Sequence, residues 1–321
     1  MPGWPTIDKR TPKVELISVI LCTYNRCESL RVVLGSLALL RAPSDAEWEL
    51  IVVDNNCTDD SAEAIKIFAA NSRTRVQYIF EPQQGLSHAR NAGIRAARGD
   101  VIAFTDDDVT AHPHWLYELE KAFNKYDCQG VGGKIIPIWG GEKPCWMQGE
   151  RAFSFRSGAI VSFDQGAEPH ELSIAPVGAN MAYKKAVFEE YGLFRSDLGK
   201  RGTDPMVGEE VEFCTRLFRA GAKVVYAPRA IVYHPVEISK LRKNFESHYF
   251  NWGRYLARVD GFPAGSILYF GVPRYLLRSI LSHVCKWAVT FDSRERFRHK
   301  LQVYESLGQI SEAHRLSTET K

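Results

Sequence analysis

The sequence predicts an α/β fold built on a mostly parallel sheet flanked by helices, and three observations predict it. Short Val- and Ile-rich runs at Leu16–Cys22, Leu50–Val53, Val76–Phe80 and Val101–Thr105 are separated by helical periodicities. Those runs are mostly apolar rather than alternating, as strands covered on both faces are. Polar residues gather just after them: Thr23, Tyr24 and Asn25 after the first, Asp54, Asn55 and Asn56 after the second, Asp106, Asp107 and Asp108 after the fourth. Ligands of open α/β sheets bind outside the carboxyl ends of the strands, so three such clusters predict one shared site.

Taken in order, the helices of this region are read at about 28–41, 60–71 and 86–97, with a fourth from Pro113 to Tyr126. Residues 137–205 are less regular, rich in Gly and Trp, with loop signals at Gly140-Gly141 and Gly199–Gly202. A helix over about 209–220 ends at Gly221 as its C′ residue, and a strand-like run, Lys223–Tyr226, follows. From about 238 the chain reads as basic amphipathic helices. The predicted division is a tail at 1–14, a main domain at 15–237 with halves at 15–136 and 137–237, and a helical extension at 238–321.

With 321 residues, 45% hydrophobic and 25% charged, the chain can bury a normal core, which excludes a disordered or fibrous protein. A net charge of +3 gives no electrostatic case for nucleic-acid binding. It hides an asymmetry: residues 238–300 hold 12 Lys+Arg against 4 Asp+Glu, so the remainder is net acidic. Seven cysteines, an odd number with no CxxC pair, argue against zinc or a disulfide framework and for a reducing compartment. Met1 to Arg10 shows no apolar signal core, and no uncharged apolar run reaches the roughly 18 residues of a spanning helix. The expectation is a cytoplasmic protein, or one peripheral on the inner face of the cytoplasmic membrane.

Asp106-Asp107-Asp108 repel one another unless a cation or donor groups compensate. At a strand end this points to a hard divalent cation, Mn²⁺ or Mg²⁺, bridging to substrate phosphates. The alternative is a solvated turn capping the next helix.

Five motifs then stand in order: Ser18-Val-Ile-Leu-Cys-Thr-Tyr-Asn25, Val52-Val-Asp-Asn-Asn56 with Asp59-Asp60-Ser61, Gly85-Leu-Ser-His-Ala-Arg-Asn-Ala-Gly93, Gly99-Asp-Val-Ile-Ala-Phe-Thr-Asp-Asp-Asp108 and Gly208-Glu-Glu-Val-Glu-Phe-Cys-Thr-Arg-Leu217. Over about residues 15–235 the chain resembles a family 2 glycosyltransferase of the GT-A fold. The resemblance implies a nucleotide pocket lined by Thr23, Tyr24, Asn25 and Arg26, with Gly85 in the neighbouring turn. It implies that Asp54 accepts a hydrogen bond from the base, typically uracil N3–H, and that Arg90 lies near the donor ribose or diphosphate. Asp106 and Asp108 become the DxD pair, Asp108 the direct metal ligand, with Asp107 contributing or filling the spacing. His234, in Ile231-Val-Tyr-His-Pro235, would complete the metal site, and Asn180 in Gly178-Ala-Asn-Met181 would touch donor sugar or acceptor. Each has a plainer alternative: a turn cap for Asp54, a surface helix residue for Arg90, an N-cap for Asn25, a turn glycine for Gly85, a structural histidine for His234. Trp139 and Trp146 either stack on sugar rings or pack.

Inverting transfer needs a base for the acceptor hydroxyl. With about 100° per residue and Glu210 at 0°, the residues Phe213, Leu217, Cys214, Phe218 and Val211 form an arc centred on Glu210. Glu212 and Arg216 fall opposite as an i,i+4 pair, and Glu209 falls at the border; the resemblance implies an acceptor-side place for Glu209. Glu210 is therefore the candidate base. The family more often carries Glu-Asp here, so the Glu-Glu pair leaves the choice between Glu209 and Glu210 open.

The aromatic and basic residues of 241–300 suit either a helix lying on an anionic membrane or an appendage packed on the main domain. Spanning helices and the Gln-x-x-Arg-Trp motif of processive synthases are missing from the sequence, which implies addition of one or a few sugars. The implied function is metal-dependent, inverting transfer of a sugar from a nucleotide diphosphate, UDP by resemblance, to a glycan or lipid-linked acceptor in polysaccharide or glycoconjugate synthesis. The rivals are a sugar nucleotidyltransferase and a non-catalytic nucleotide-sugar binder. An oxidoreductase is disfavoured because no GxGxxG follows the first strand.

Overall fold

The computed structural model describes residues 13–41, 46–144, 147, 160–269 and 272–319. Their order is β1 (Leu16–Thr23), α1 (Cys27–Ala38), β2 (Glu47–Asp54), α2 (Ser61–Asn71), β3 (Arg75–Phe80), α3 (Leu86–Ala96), β4 (Val101–Asp106), β5 (Thr110–Ala111), α4 (Trp115–Lys125), β6 (Gly130–Trp139) and β7 (His170–Glu171). Then come β8 (Met181–Lys184), α5 (Lys185–Tyr191), α6 (Glu209–Arg219), β9 (Val224–Val236), α7 (Leu241–Val259), β10 (Leu268–Tyr269), β11 (Val272–Pro273), α8 (Arg274–Val289) and α9 (Ser293–Glu319). The described residues form two compact units. The first is drawn from Met1–Ile138, Val161–Asp197 and Glu209–Pro235, the second from Trp139–Ile160, Leu198–Gly208 and Val236–Lys321. The described residues of 139–160 and those of 198–208 thus group with the C-terminal helices.

The first unit is α/β, with a mixed sheet in the order β3-β2-β1-β4-β8-β6-β9-β5 and β7 on β9. The run β3-β2-β1-β4 is parallel, and the helices between those strands make the crossovers. β8 pairs antiparallel to β4 and to β6. Both faces of the parallel run are covered: Ile17, Leu21, Leu50, Val52 and Ile102 are all inaccessible to solvent.

Four elements are longer or more regular than the sequence pattern predicts. β6 is not singled out as a strand by the sequence, and each of its glycines makes room for a neighbour. A Cβ on Gly130 would stand 2.6 Å from the Tyr183 ring, and one on Gly132 2.7 Å from Pro176. β9 runs on past the predicted Lys223–Tyr226 through Pro228 and Pro235, residues that argue against a strand because they cannot donate to a ladder. Its far end is held by β5, with Thr110 opposite Tyr233. β8 and α5 fall in the stretch read as irregular.

The second unit holds α7, α8, α9 and the β10–β11 hairpin. α7 and α9 cross closely at glycines: Gly253 lies on the Glu305 carbonyl and Gly308 on the Phe250 carbonyl. Glu312 of α9 is 1% exposed and is surrounded by Arg258 at 2.6 Å, Arg315 at 2.5 Å and Arg254 at 3.4 Å. Part of the basic charge read from the sequence is therefore spent inside this unit. Trp139 packs in the cluster around Leu241, Phe245 and Leu301, with Lys143 Nζ 5.0 Å from its ring centre. Trp146 lies outside the described residues.

Gly133 gives a direct test of the glycine-rich strand. A Cβ there would stand 2.5 Å from Asn180 Oδ1 and nearer still to Asn180 Nδ2 and the Ala230 carbonyl. Gly133→Ala should cost about 2–4 kcal/mol in chemical denaturation, because it both overpacks the core and breaks buried hydrogen bonds. Gly141→Ala should be nearly silent, since its Cβ would meet only the end of the Ile238 side chain, at 3.3 Å.

Candidate active site

Strand register assembles the site. Thr23 pairs with Asp54, and Cys22 with Asp106, so the three polar clusters end level at one edge of the first unit. Asp106 closes β4, and Asp107 and Asp108 lie in the turn beyond it, both within reach of Arg26. Asp107 is buried, accepting hydrogen bonds from Thr23 Oγ1 at 2.8 Å and Arg26 at 3.2 Å, while Ser29 Oγ bonds its carbonyl at 2.7 Å. Burial, with Asp106 and Asp108 close by, lifts its pKa to about 6 against the pull of Arg26 and Thr23. Thr23 and Asp107 thus spend their polar groups on each other. Arg26 also forms an ion pair with Asp108.

The remaining nucleotide-side residues lace the strand-end loops together. Asp54 is buried, accepting the Cys57 N–H at 2.8 Å and the Tyr78 hydroxyl at 2.9 Å. Asn25 has φ 51°, precedes the N-cap residue Arg26, and takes the Thr58 N–H at 2.7 Å. Asn55 donates to the Gln83 carbonyl at 2.7 Å and accepts the Gly85 N–H at 2.7 Å. Gly85 is the N-cap of α3 with φ 146°, a conformation that admits glycine and disfavours side chains. Tyr24 is exposed.

α3 carries Arg90 inward. Its guanidinium is 3% exposed and bridges two carboxylates, Glu209 at 2.6 Å and Asp106 at 3.3 Å. Gly178 closes over it, since a Cβ there would collide with the guanidinium. Burial opposes the charge on Arg90, but Glu209 and then Asp106 outweigh it and hold the pKa up. Rather than reaching from a helix surface, Arg90 is the counter-ion that ties α3, β4 and α6 together.

At the start of α6 the three glutamates separate by partner. Glu209, placed at the border by the helical arc, is 5% exposed and spent on Arg90. Glu212, placed on the outer side, is 8% exposed and pairs with Arg216 at 3.0 Å, and Arg216 also donates to the Leu193 carbonyl at 2.8 Å. The Glu212–Arg216 pair is the i,i+4 pair read from the arc, and both glutamates are buried because other segments cover α6 beyond its apolar side. Glu210 is half-buried, and its Oε2 is enclosed without a hydrogen-bond partner. Burial, then the neighbouring Glu209, raises its pKa to about 8, with Arg90 working the other way.

Asp108 Oδ1 faces His234 Nε2 at 3.5 Å, and His234 Nδ1 is buried without a partner. A carboxylate oxygen and an imidazole nitrogen suit Mn²⁺ chemically. Among the described residues, no three His, Cys, Asp or Glu side chains converge as a ready metal cage.

The family model for glycosyl transferase family 2 matches residues 18–192. The chain belongs to glycosyl transferase family 2. The glucosyl-dolichyl phosphate glucuronosyltransferase of Haloferax volcanii is 29% identical over 252 residues, 76% of each chain. The succinoglycan biosynthesis protein ExoM of Rhizobium meliloti is 28% identical over 220 residues, 68% of this chain and 67% of its own. In fold, the chain is similar to the mannosyltransferase PcManGT from Pyrobaculum calidifontis, solved with GDP-Man and Mn²⁺. The TM-score is 0.64 at 15% identity, over 97% of this chain and 90% of that one.

In this family 2 transferase Asn180 is fully buried. It accepts from Trp115 Nε1 at 2.8 Å and donates to the Lys134 and Ala230 carbonyls at 2.9 and 2.8 Å. Its side chain thus pins β6 and β9 together; it does not stand open to a sugar. Trp115, Tyr78 and Ser29 are site-building residues that pattern reasoning missed. Asn55 is legible only as a member of the strand-end cluster.

Because the folded-state pKa of Glu210 lies above the ordinary 4.5, the native state holds that proton more tightly than the unfolded chain. Glu210 therefore costs stability progressively as pH rises from 4.5 towards about 8, and nothing below that window. Glu210→Gln should raise the Tm by roughly 2–5 °C at the alkaline end, with the gain vanishing as pH falls to the ordinary carboxylate value. Thermal melts across that range check it; a gain independent of pH would contradict the assignment.

Proposed function

We propose that the protein is a metal-dependent, inverting glycosyltransferase with Glu210 as its base. The observation that carries this is the enclosed, partnerless Glu210 oxygen with a raised pKa, standing beside the Arg90 bridge that reaches Asp106. In the proposed step, the Glu210 carboxylate takes the proton of the acceptor hydroxyl. That oxygen's electron pair forms the new bond to the sugar's anomeric carbon. The carbon's bond to the diphosphate oxygen breaks, its electron pair leaving with the nucleoside diphosphate. A base with a raised pKa is a stronger proton acceptor than an ordinary glutamate.

Asp54 has two oxygens and accepts one protein hydrogen bond at each, which leaves lone pairs for a base imide N–H. Thr23, Tyr24, Asn25 and Arg26 border the same strand end, with Arg26 supplying positive charge for the diphosphate. Asp108 and His234 would hold Mn²⁺ or Mg²⁺ with the donor's phosphates completing the shell. Such a cation neutralises charge on the departing diphosphate. Arg90 and Glu209 position Asp106 and α6. We take UDP as the nucleotide. A lipid-linked or glycan acceptor, met at a membrane surface, is supported by the dolichyl phosphate substrate named for the Haloferax relative and the succinoglycan role of the Rhizobium one.

Calorimetric titration with UDP, GDP and dTDP, each with and without Mn²⁺, tests the donor site. UDP should bind tightest, require Mn²⁺, and weaken at least about tenfold in Asp108→Ala and His234→Ala. Metal-independent binding to all three would reject the metal assignment. Glu210→Gln should keep UDP affinity while lowering transfer by at least about 10²-fold, whereas Glu209→Gln should also weaken the fold. Pyrophosphate release in place of UDP would favour the nucleotidyltransferase.

A further inference from the structure

α8 turns its polar side to its neighbour and its apolar side to water. Towards α9 it presents Ser279, with Oγ 3.3 Å from Ser306 Oγ, and His283, with Nδ1 3.1 Å from His299 Nδ1. Leu276 is its one buried side chain among the described residues. Leu277, Leu281 and Val284, spaced i, i+4, i+7, form a stripe that is 42%, 66% and 38% exposed. Trp287, Val289 and Phe291 continue the exposure at the helix end, and Ile267, Leu268 and Tyr269 expose apolar surface in the hairpin that leads in. Ten of the eighteen large hydrophobic side chains exposed among the described residues lie within 267–291. Singly exposed hydrophobes need no explanation, but a concentration of this kind marks a contact surface.

Charge chooses the partner. Helical geometry puts Arg274 and Arg278 within about 60° of Leu281, along the edge of the stripe. Residues 261–300 hold seven Lys+Arg against two Asp+Glu. A second copy of this chain would set like charge against like, while an anionic surface is attracted. No helix among the described residues is long and apolar enough to cross a membrane, so contact would be in the interfacial plane. We infer that the outward face of α8 is a docking surface for an anionic lipid bilayer. Leu277, Leu281 and Val284 enter the acyl boundary, and Arg274 and Arg278 lie at the level of the lipid phosphates. This deepens the proposal of an acceptor met at a membrane, and it rests on that reading for its purpose.

The test is flotation of the full chain with vesicles of phosphatidylcholine alone or with roughly one third phosphatidylglycerol. The parent should bind the anionic vesicles at least about tenfold better than the neutral ones, and less as salt rises. The double variant Leu277→Glu/Leu281→Glu should lose about tenfold in partition, with its melting curve and UDP binding unchanged, because both side chains are exposed and glutamate suits a helix. Failure of the parent to bind anionic vesicles, or undiminished binding by the double variant, overturns the inference. So does sedimentation showing a parent dimer that the double variant dissolves, without vesicle binding, since the face would then meet a second copy. Donor turnover is measured without vesicles: its absence alongside intact vesicle binding would sink the transferase reading and leave the surface standing.

Discussion

The acidic edge of the sheet depends on Arg90. Asp106 closes β4, and Glu209 and Glu210 open α6, so three carboxylates are drawn towards one partly dry corner. Gathering such charge is costly unless a cation is built in, and the buried guanidinium bridging Asp106 and Glu209 is that cation. Its own placement depends on other residues. α3 lies close on β1 because Gly93 has no Cβ to meet Ile20. The helix starts where Asn55 holds Gly85, and Gly178 leaves space for the guanidinium. Removing any of these displaces the charge that lets the others coexist.

Given that counter-ion, the carboxylates divide by what they touch. Asp107 is turned inward to Thr23 and Arg26, Glu209 to Arg90, Glu212 to Arg216. Glu210 keeps an enclosed oxygen with no partner and a proton held more tightly than usual. A group left in that state lowers the stability of the fold at neutral pH, and such costs concentrate where reactivity is needed. Arg26 forms an ion pair with Asp108, so that carboxylate too has positive charge beside it.

The second unit follows a different logic. Its inner charges are closed into a network around Glu312, while α8 leaves apolar side chains on the outside and polar ones against α9. The first pattern holds helices together; the second is useful only if another apolar medium covers it.

Sequence alone determined the parallel run of strands, because Val- and Ile-rich runs between helical periods have few other packed solutions. It also determined that the strand-end clusters share one edge, and the family, because five motifs fall in order. What only the tertiary structure decided is how each polar residue is spent. Arg90 and Asn180 look like ligand contacts in a motif, yet one is a buried counter-ion and the other a buried clasp between β6 and β9. Their partners come from 119 residues away for Arg90 and 65 for Asn180. Likewise β6 and β9 look broken by glycine and proline until the neighbours that need those residues are in place. Local pattern reports propensity and period, which act over one or two turns; partner choice among charged groups depends on burial, and burial is a property of the folded chain.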